Sequence, residues 1–190
     1  TIPEHEEIKK QLMPKILEQE EKFNNNNRGI ENAYTNYSFE GKWFEHSGFL
    51  GDPSVVKPII LQTIHEVINH MKSNNILPIP PYKDYFIGNA WYTRYNTDGS
   101  FEYHQHGHTQ TIINGQMANT VFSIIYILND QNVGNSTMFM NHDRNYLAIS
   151  SDIDIDTADY SDIKEGTVII FPSSFHHKVN RIKIPNRITV

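Results

Sequence analysis

The 190-residue chain contains no cysteine. That removes disulfides, thiolate metal ligands and cysteine nucleophiles together, so any metal it holds is bound through nitrogen and oxygen. It also lacks a long apolar run, with nothing near the roughly 18 residues that a membrane-crossing helix requires. Positive charge is scarce: 16 Lys and Arg stand against 22 Asp and Glu, a net charge of -6. Such a balance argues against a broad nucleic-acid surface. No internal repeat is visible, and Thr1 to Glu7 are too polar and acidic to read as a secretory signal. The expectation is a soluble, cytoplasmic protein with neither membrane nor nucleic acid as partner, and composition leaves its oligomeric state open.

What is present is enough apolar material, 38% of the chain, for one domain of residues 1–190 with a sizeable core. Its first part, residues 1–81, reads mainly as helix. Ile8, Leu12, Met13, Ile16 and Leu17 recur at helical spacing, with Pro14 as a kink or a start. The tract Asn24 to Asn27 reads as a loop. A second helix is expected from Asp52-Pro53, with Val56, Ile59, Ile60, Ile64, Val67, Ile68 and Met71 on its apolar face. There Pro58 marks a kink or a later start, and Leu77 to Pro81 ends the helical character.

Residues 82–190 read as strands and turns. Strands are expected at about Tyr85–Tyr95, Phe101–His106, Thr120–Leu128, Thr137–Asn141, Thr167–Phe171, Phe175–Val179 and Arg187–Val190, with a turn at Asn96–Ser100. Ser150 to Asp162 carries five aspartates but no calcium-loop glycine, and reads as a solvated acidic loop. Helices followed by short strands describe an α+β chain with a β-sandwich or barrel core, for which a jelly roll is the natural candidate.

Five of the ten histidines fall in two short segments, Tyr103 to His108 and Phe175 to His177. Side chains two apart on a strand share a face, so His104 and His106 can grip one ion together. His108 has the same parity, but Gly107 is expected to bend the chain before it. A third ligand has to come from elsewhere, and His176 or His177 is the obvious source. Imidazole suits Fe, Zn, Ni and Cu better than Mg or Ca. Glu102 and Asp143 are further candidates for a ligand or a hydrogen-bonding partner of one.

These residues form a series. It runs Arg94-Tyr95, Gly99, His104-Gln105-His106, Tyr126 to Asn129, Gly134 to Phe139 with Thr137 inside, Gly166 to Pro172, His177, and Arg187 to Val190. The region from Ala90 to Val190 resembles the Fe(II)- and 2-oxoglutarate-dependent oxygenases of the prolyl hydroxylase type, above all a branch found in marine bacteria and their phages. Order holds throughout, and the one departure in spacing is Ile127, which separates Tyr126 from Leu128. The resemblance implies a double-stranded β-helix (jelly-roll or cupin-like) core with N-terminal supporting helices. It implies metal ligands His104, His106 and His177, with His106 where many relatives carry Asp, and His176 on the outer face. It also implies 2-oxoglutarate as co-substrate, held through its distal carboxylate by Arg187 with Tyr95, Thr137 and Tyr126 nearby, and O2 as oxidant. Arg181 is the nearest rival to Arg187. The activity implied is hydroxylation of an unidentified peptidyl or small-molecule substrate. The alternative is a cupin-type metalloprotein that makes no use of 2-oxoglutarate. A third possibility is a binding or structural protein that kept the fold and lost turnover.

Overall fold

The computed structural model describes residues 2–20, 30–36, 57–74, 90–106, 110–113, 116–119, 122–131, 137–139 and 163–190. Two helices, α1 (His5–Glu20) and α2 (Lys57–Ser73), pack beside a mostly antiparallel curled sheet that forms a half-barrel. Among the described residues no helix is long and apolar enough to cross a membrane.

Helix α1 forms where the four-residue apolar spacing was read. Ile8, Leu12 and Ile16 turn to the core, the last two fully buried. Pro14 lies inside the helix without ending it, on the exposed side. There the carbonyl that loses its partner can bond water instead. Helix α2 contributes Ile64 and Ile68. Pro58 falls in its first described turn, where no N–H is needed. The Asp52-Pro53 cap, Asn24 to Asn27, Leu77 to Pro81 and the acidic segment Ser150 to Asp162 lie outside the described residues.

The strands are β1 (Ile30–Thr35), β2 (Thr93–His104), β3 (Gln110–Ile113), β4 (Gln116–Asn119), β5 (Phe122–Asn129), β6 (Thr137–Phe139), β7 (Val168–Pro172), β8 (His177–Val179) and β9 (Arg187–Thr189). The main sheet runs β6-β8-β2-β9-β5-β7 with β1 on β2, while β3 and β4 pair separately. Neither β1 nor the β3–β4 pair was expected from sequence. The expected turn at Asn96–Ser100 is also corrected: β2 continues through it as a bulge. Tyr95 pairs with Ala33 and Ser100 with Glu31, so residues 96 to 99 stand opposite Asn32 alone. Asp98 and Asn32 adopt φ of 61° and 46°, the left-handed region that Asn and Asp tolerate better than most residues. The turn-forming residues were read correctly, but they bend a strand and do not end it.

The bulge divides β2. Before it, Thr93 to Tyr95 pair with β9; after it, Phe101 and His104 pair with β8. The connection between β8 and β9 fills the gap. Asp98 N donates to Ile182 O at 2.8 Å, Ile182 N donates to Gly99 O at 3.0 Å, and the buried Ile182 packs with Tyr95, Phe101 and Val179.

Alternation then assigns the two faces. On β5, Phe122, Ile124, Tyr126 and Leu128 meet the helices; on β7, Val168 and Ile170 do; on β9, Ile188 does. Their odd-numbered neighbours Ser123, Ile125, Phe171, Arg187 and Thr189 face the other way. Gly99 is required at the bulge, because a Cβ there would come within 2.8 Å of the carbonyl oxygens of Asn32 and Asn96. Gly99→Ala should therefore cost about 1–3 kcal/mol in chemical denaturation. A wild-type midpoint for that variant would mean the close approach is not fixed.

Candidate metal centre

The face of the sheet turned away from the helices carries the site, along β2. Cross-strand partners lie about 5 Å apart at Cβ. β2 uses this twice, with His104 opposite His177 on β8 and Tyr95 opposite Arg187 on β9. His106 follows just past the end of β2, where its backbone N donates to Ser173 O at 3.1 Å. The nitrogens that His104, His106 and His177 offer all lie within 4.8 Å of one another. A metal bound at about 2.1 Å from each would need them roughly 3 Å apart, a small closure by side-chain rotation.

The hydrogen bonds decide which nitrogens are available. His104 Nδ1 donates to Glu102 O at 2.8 Å and His177 Nδ1 donates to Phe175 O at 3.1 Å. A carbonyl only accepts, so both rings carry the proton on Nδ1 and leave the Nε2 lone pair for a ligand. His106 Nδ1 meets Ser123 Oγ at 2.7 Å, and donation there gives all three rings the same tautomer. Phe101 stacks on His104 at 3.8 Å between centroids. Phe139 and Phe171 flank His177, and Trp91 stands edge-on to His106.

Burial holds the rings neutral. It is the largest cause in each case, lowering His104, taking His106 to about 4 with help from His104, and taking His177 to about 3 with help from His104 and His106. Metal ligation requires neutral imidazole, so the triad is ready to bind at neutral and mildly acidic pH. The set of three neutral nitrogens could hold a metal ion, and the ions it suits are Fe, Zn, Ni and Cu.

The other end of the same cavity is built around Arg187, which is 1% exposed. Its Nε donates to Asp130 Oδ2 at 2.9 Å and its Nη2 to Thr137 Oγ1 at 2.7 Å. Nη1 is buried with no hydrogen-bond partner among the described residues. The guanidinium lies 5.5 Å from the Tyr95 ring centre. Burial pushes the Tyr95 hydroxyl up to about 12 against the opposing pull of Arg187, so it stays protonated. Between the ends the wall is apolar, with Phe101, Ile125 and Val179. The cavity has about 50 Å³ of water-accessible space, several times the roughly 10–15 Å³ one water needs.

The expected residues thus come together with one exception. His104, His106, His177, Arg187, Tyr95 and Thr137 all line the cavity. Tyr126 does not. It sits on the helix face, where its hydroxyl meets His5 Nδ1 at 2.6 Å. Ile127, the extra residue before Leu128-Asn129, explains the difference, since a shift of one along a strand reverses the face. Arg181 is exposed and 3.8 Å from Glu31 on the surface. His176 is half-buried outside the triad, and Glu102 contributes its carbonyl while its side chain points to solvent. His108 and Asp143 lie outside the described residues. Asp130 and Ser123 went unnoticed in the sequence. The parity of Ser123 with Ile125 would have placed it on this face; Asp130 carried no signal apart from its place at the end of β5.

No known protein family matches the chain, and no curated protein is significantly similar to it.

The lowered histidines fix a sign for acid stability. Their folded-state values lie below the ordinary value of about 6.5, so the unfolded chain takes up protons first. Stability of the metal-free protein is full above about pH 6.5 and falls as pH drops towards 4 and then 3. Urea unfolding at pH 7.5, 6.0 and 5.0 should show the fall, and His106→Asn should reduce it. A midpoint independent of pH over that range would contradict the burial of neutral rings.

Proposed function

We propose that the chain is an Fe(II)- and 2-oxoglutarate-dependent dioxygenase, a hydroxylase of a substrate that no residue here identifies. The observation that carries this reading is the two-ended cavity. One end presents three ring nitrogens, and the other a buried guanidinium whose Nη1 has no partner among the described residues, beside a hydroxyl. Spacing supports it. Phe139 lies opposite His177 and Thr137 opposite Val179, so the hydroxyl beside Arg187 is two strand residues from the triad's level. Two residues advance about 6.6 Å. A five-carbon diacid spans roughly 5 Å between its terminal carbons, and a metal–oxygen bond adds about 2 Å.

In this reading His104, His106 and His177 hold the iron, and the curled sheet is part of a double-stranded β-helix. Iron with 2-oxoglutarate would supply dioxygen activation and C–H oxidation, chemistry that belongs to the cofactors. The protein's part is binding and orientation. Arg187 Nη1 and the Thr137 hydroxyl take the distal carboxylate, and the apolar wall keeps water from the chain between. Tyr95, protonated, places its ring against the guanidinium. With His106 in place of the usual carboxylate, the metal end carries one more positive charge, which favours a dianionic co-substrate.

Anaerobic addition of Fe(II) to metal-free protein, followed by 2-oxoglutarate, should give a weak visible charge-transfer band. Arg187→Gln should weaken 2-oxoglutarate by at least about 30-fold. If iron binds and 2-oxoglutarate leaves the spectrum unchanged, the cupin-type reading replaces this one. If no metal binds, the triad is not a metal site.

A further inference from the structure

A guanidinium sealed into an apolar cavity is costly unless it is paired, and Arg187 is paired before any ligand arrives. Its partner Asp130 is itself nearly buried, with 8% of its side chain exposed. Asp130 is held in turn: its backbone N–H donates to Glu165 Oε2 at 3.0 Å. Glu165 is anchored to α1 through Lys9 and through His5 Nε2 at 3.1 Å. The end of β5 is thus fastened from the helical side while its aspartate reaches through to the cavity side. The pairing geometry matters more than the charge. Asp130 occupies Nε and Thr137 takes Nη2, and between them they fix the plane of the guanidinium. The nitrogen left over is Nη1, buried and without a hydrogen-bond partner among the described residues.

We infer that Asp130 is the positioning residue that aims Arg187 Nη1 at the distal carboxylate of a dicarboxylic ligand, and so sets the preference of the site for diacids over monoacids. The inference rests on the reading of the cavity as a 2-oxoglutarate site. In this role Asp130 acts through Arg187. Its loss should leave metal binding and the keto-acid end untouched and weaken only ligands that carry the second carboxylate.

The test is calorimetry on Zn(II)-loaded protein, with 2-oxoglutarate and with 2-oxobutyrate, which keeps the keto-acid end and lacks the distal carboxylate. Asp130→Ala should weaken 2-oxoglutarate by about tenfold or more, the worth of one hydrogen bond to a charged group. Zn(II) and 2-oxobutyrate affinities should stay within about threefold. Asp130→Asn keeps an acceptor for Nε and should restore most of the loss. Asp130→Glu retains the buried ion pair but pushes the guanidinium off its line. It should show the same selective loss, so the inference stays testable if the alanine variant fails to fold. Unchanged 2-oxoglutarate affinity in Asp130→Glu and Asp130→Ala would overturn the inference while leaving the co-substrate reading intact. Equal weakening of both ligands, or loss of Zn(II), would reduce Asp130 to a structural role and overturn it too. A wild-type protein that binds Zn(II) but not 2-oxoglutarate would overturn the co-substrate reading itself, and this inference with it.

Discussion

One edge of a strand can hydrogen-bond only one partner at any point along it, and β2 divides its edge between β9 and β8. The bulge at residues 96 to 99 lies between the two stretches. Tyr95 and His104 are separated by an odd number of positions and would point to opposite faces of a regular strand, yet both line the cavity, because the bulge returns them to one face. The two stretches line one cleft, and Ile182 from the β8–β9 connection packs and hydrogen-bonds against the bulge. The histidine end and Tyr95 at the guanidinium end therefore share a face through one backbone irregularity, held by Gly99 and by left-handed Asp98.

Polar groups in such a cleft are costly to bury, and each is offset in its own way. The imidazoles shed charge, and at least two of them give their Nδ1 protons to backbone carbonyls. Arg187 keeps its charge and takes Asp130 as counter-ion. What is left over among the described residues is a set of ring nitrogens at one end of the cavity and the buried Nη1 of Arg187 at the other. A small ligand with a chelating group and a distal anion would satisfy both.

Much of this was legible in the sequence, because it rests on periodicities of two and four. Ile8, Leu12 and Ile16 announced a helix face, and His104 with His106 announced a shared one. Where period two was interrupted, the reading went astray. Asn96 to Ser100 has turn composition, yet cross-strand pairing on both sides carries the strand through it. Tyr126 fell on the wrong face through the single extra residue Ile127, which spacing alone could have revealed. Strand β1 was hidden because Ile30 to Thr35 lies half exposed and alternates poorly. Asp130 follows Asn129 in what looks like a loop, and only the tertiary contact with Arg187 gives it meaning.

The account stands most directly on the three Nε2 atoms forming one centre. The decisive measurement is a crystal structure of the protein soaked in Co(II), with anomalous scattering to locate the metal. The account predicts one strong site about 2.1 Å from Nε2 of His104, His106 and His177, with the Nδ1 hydrogen bonds to Glu102 O and Phe175 O retained. Metal bound elsewhere, or through fewer than three of these rings, would contradict it.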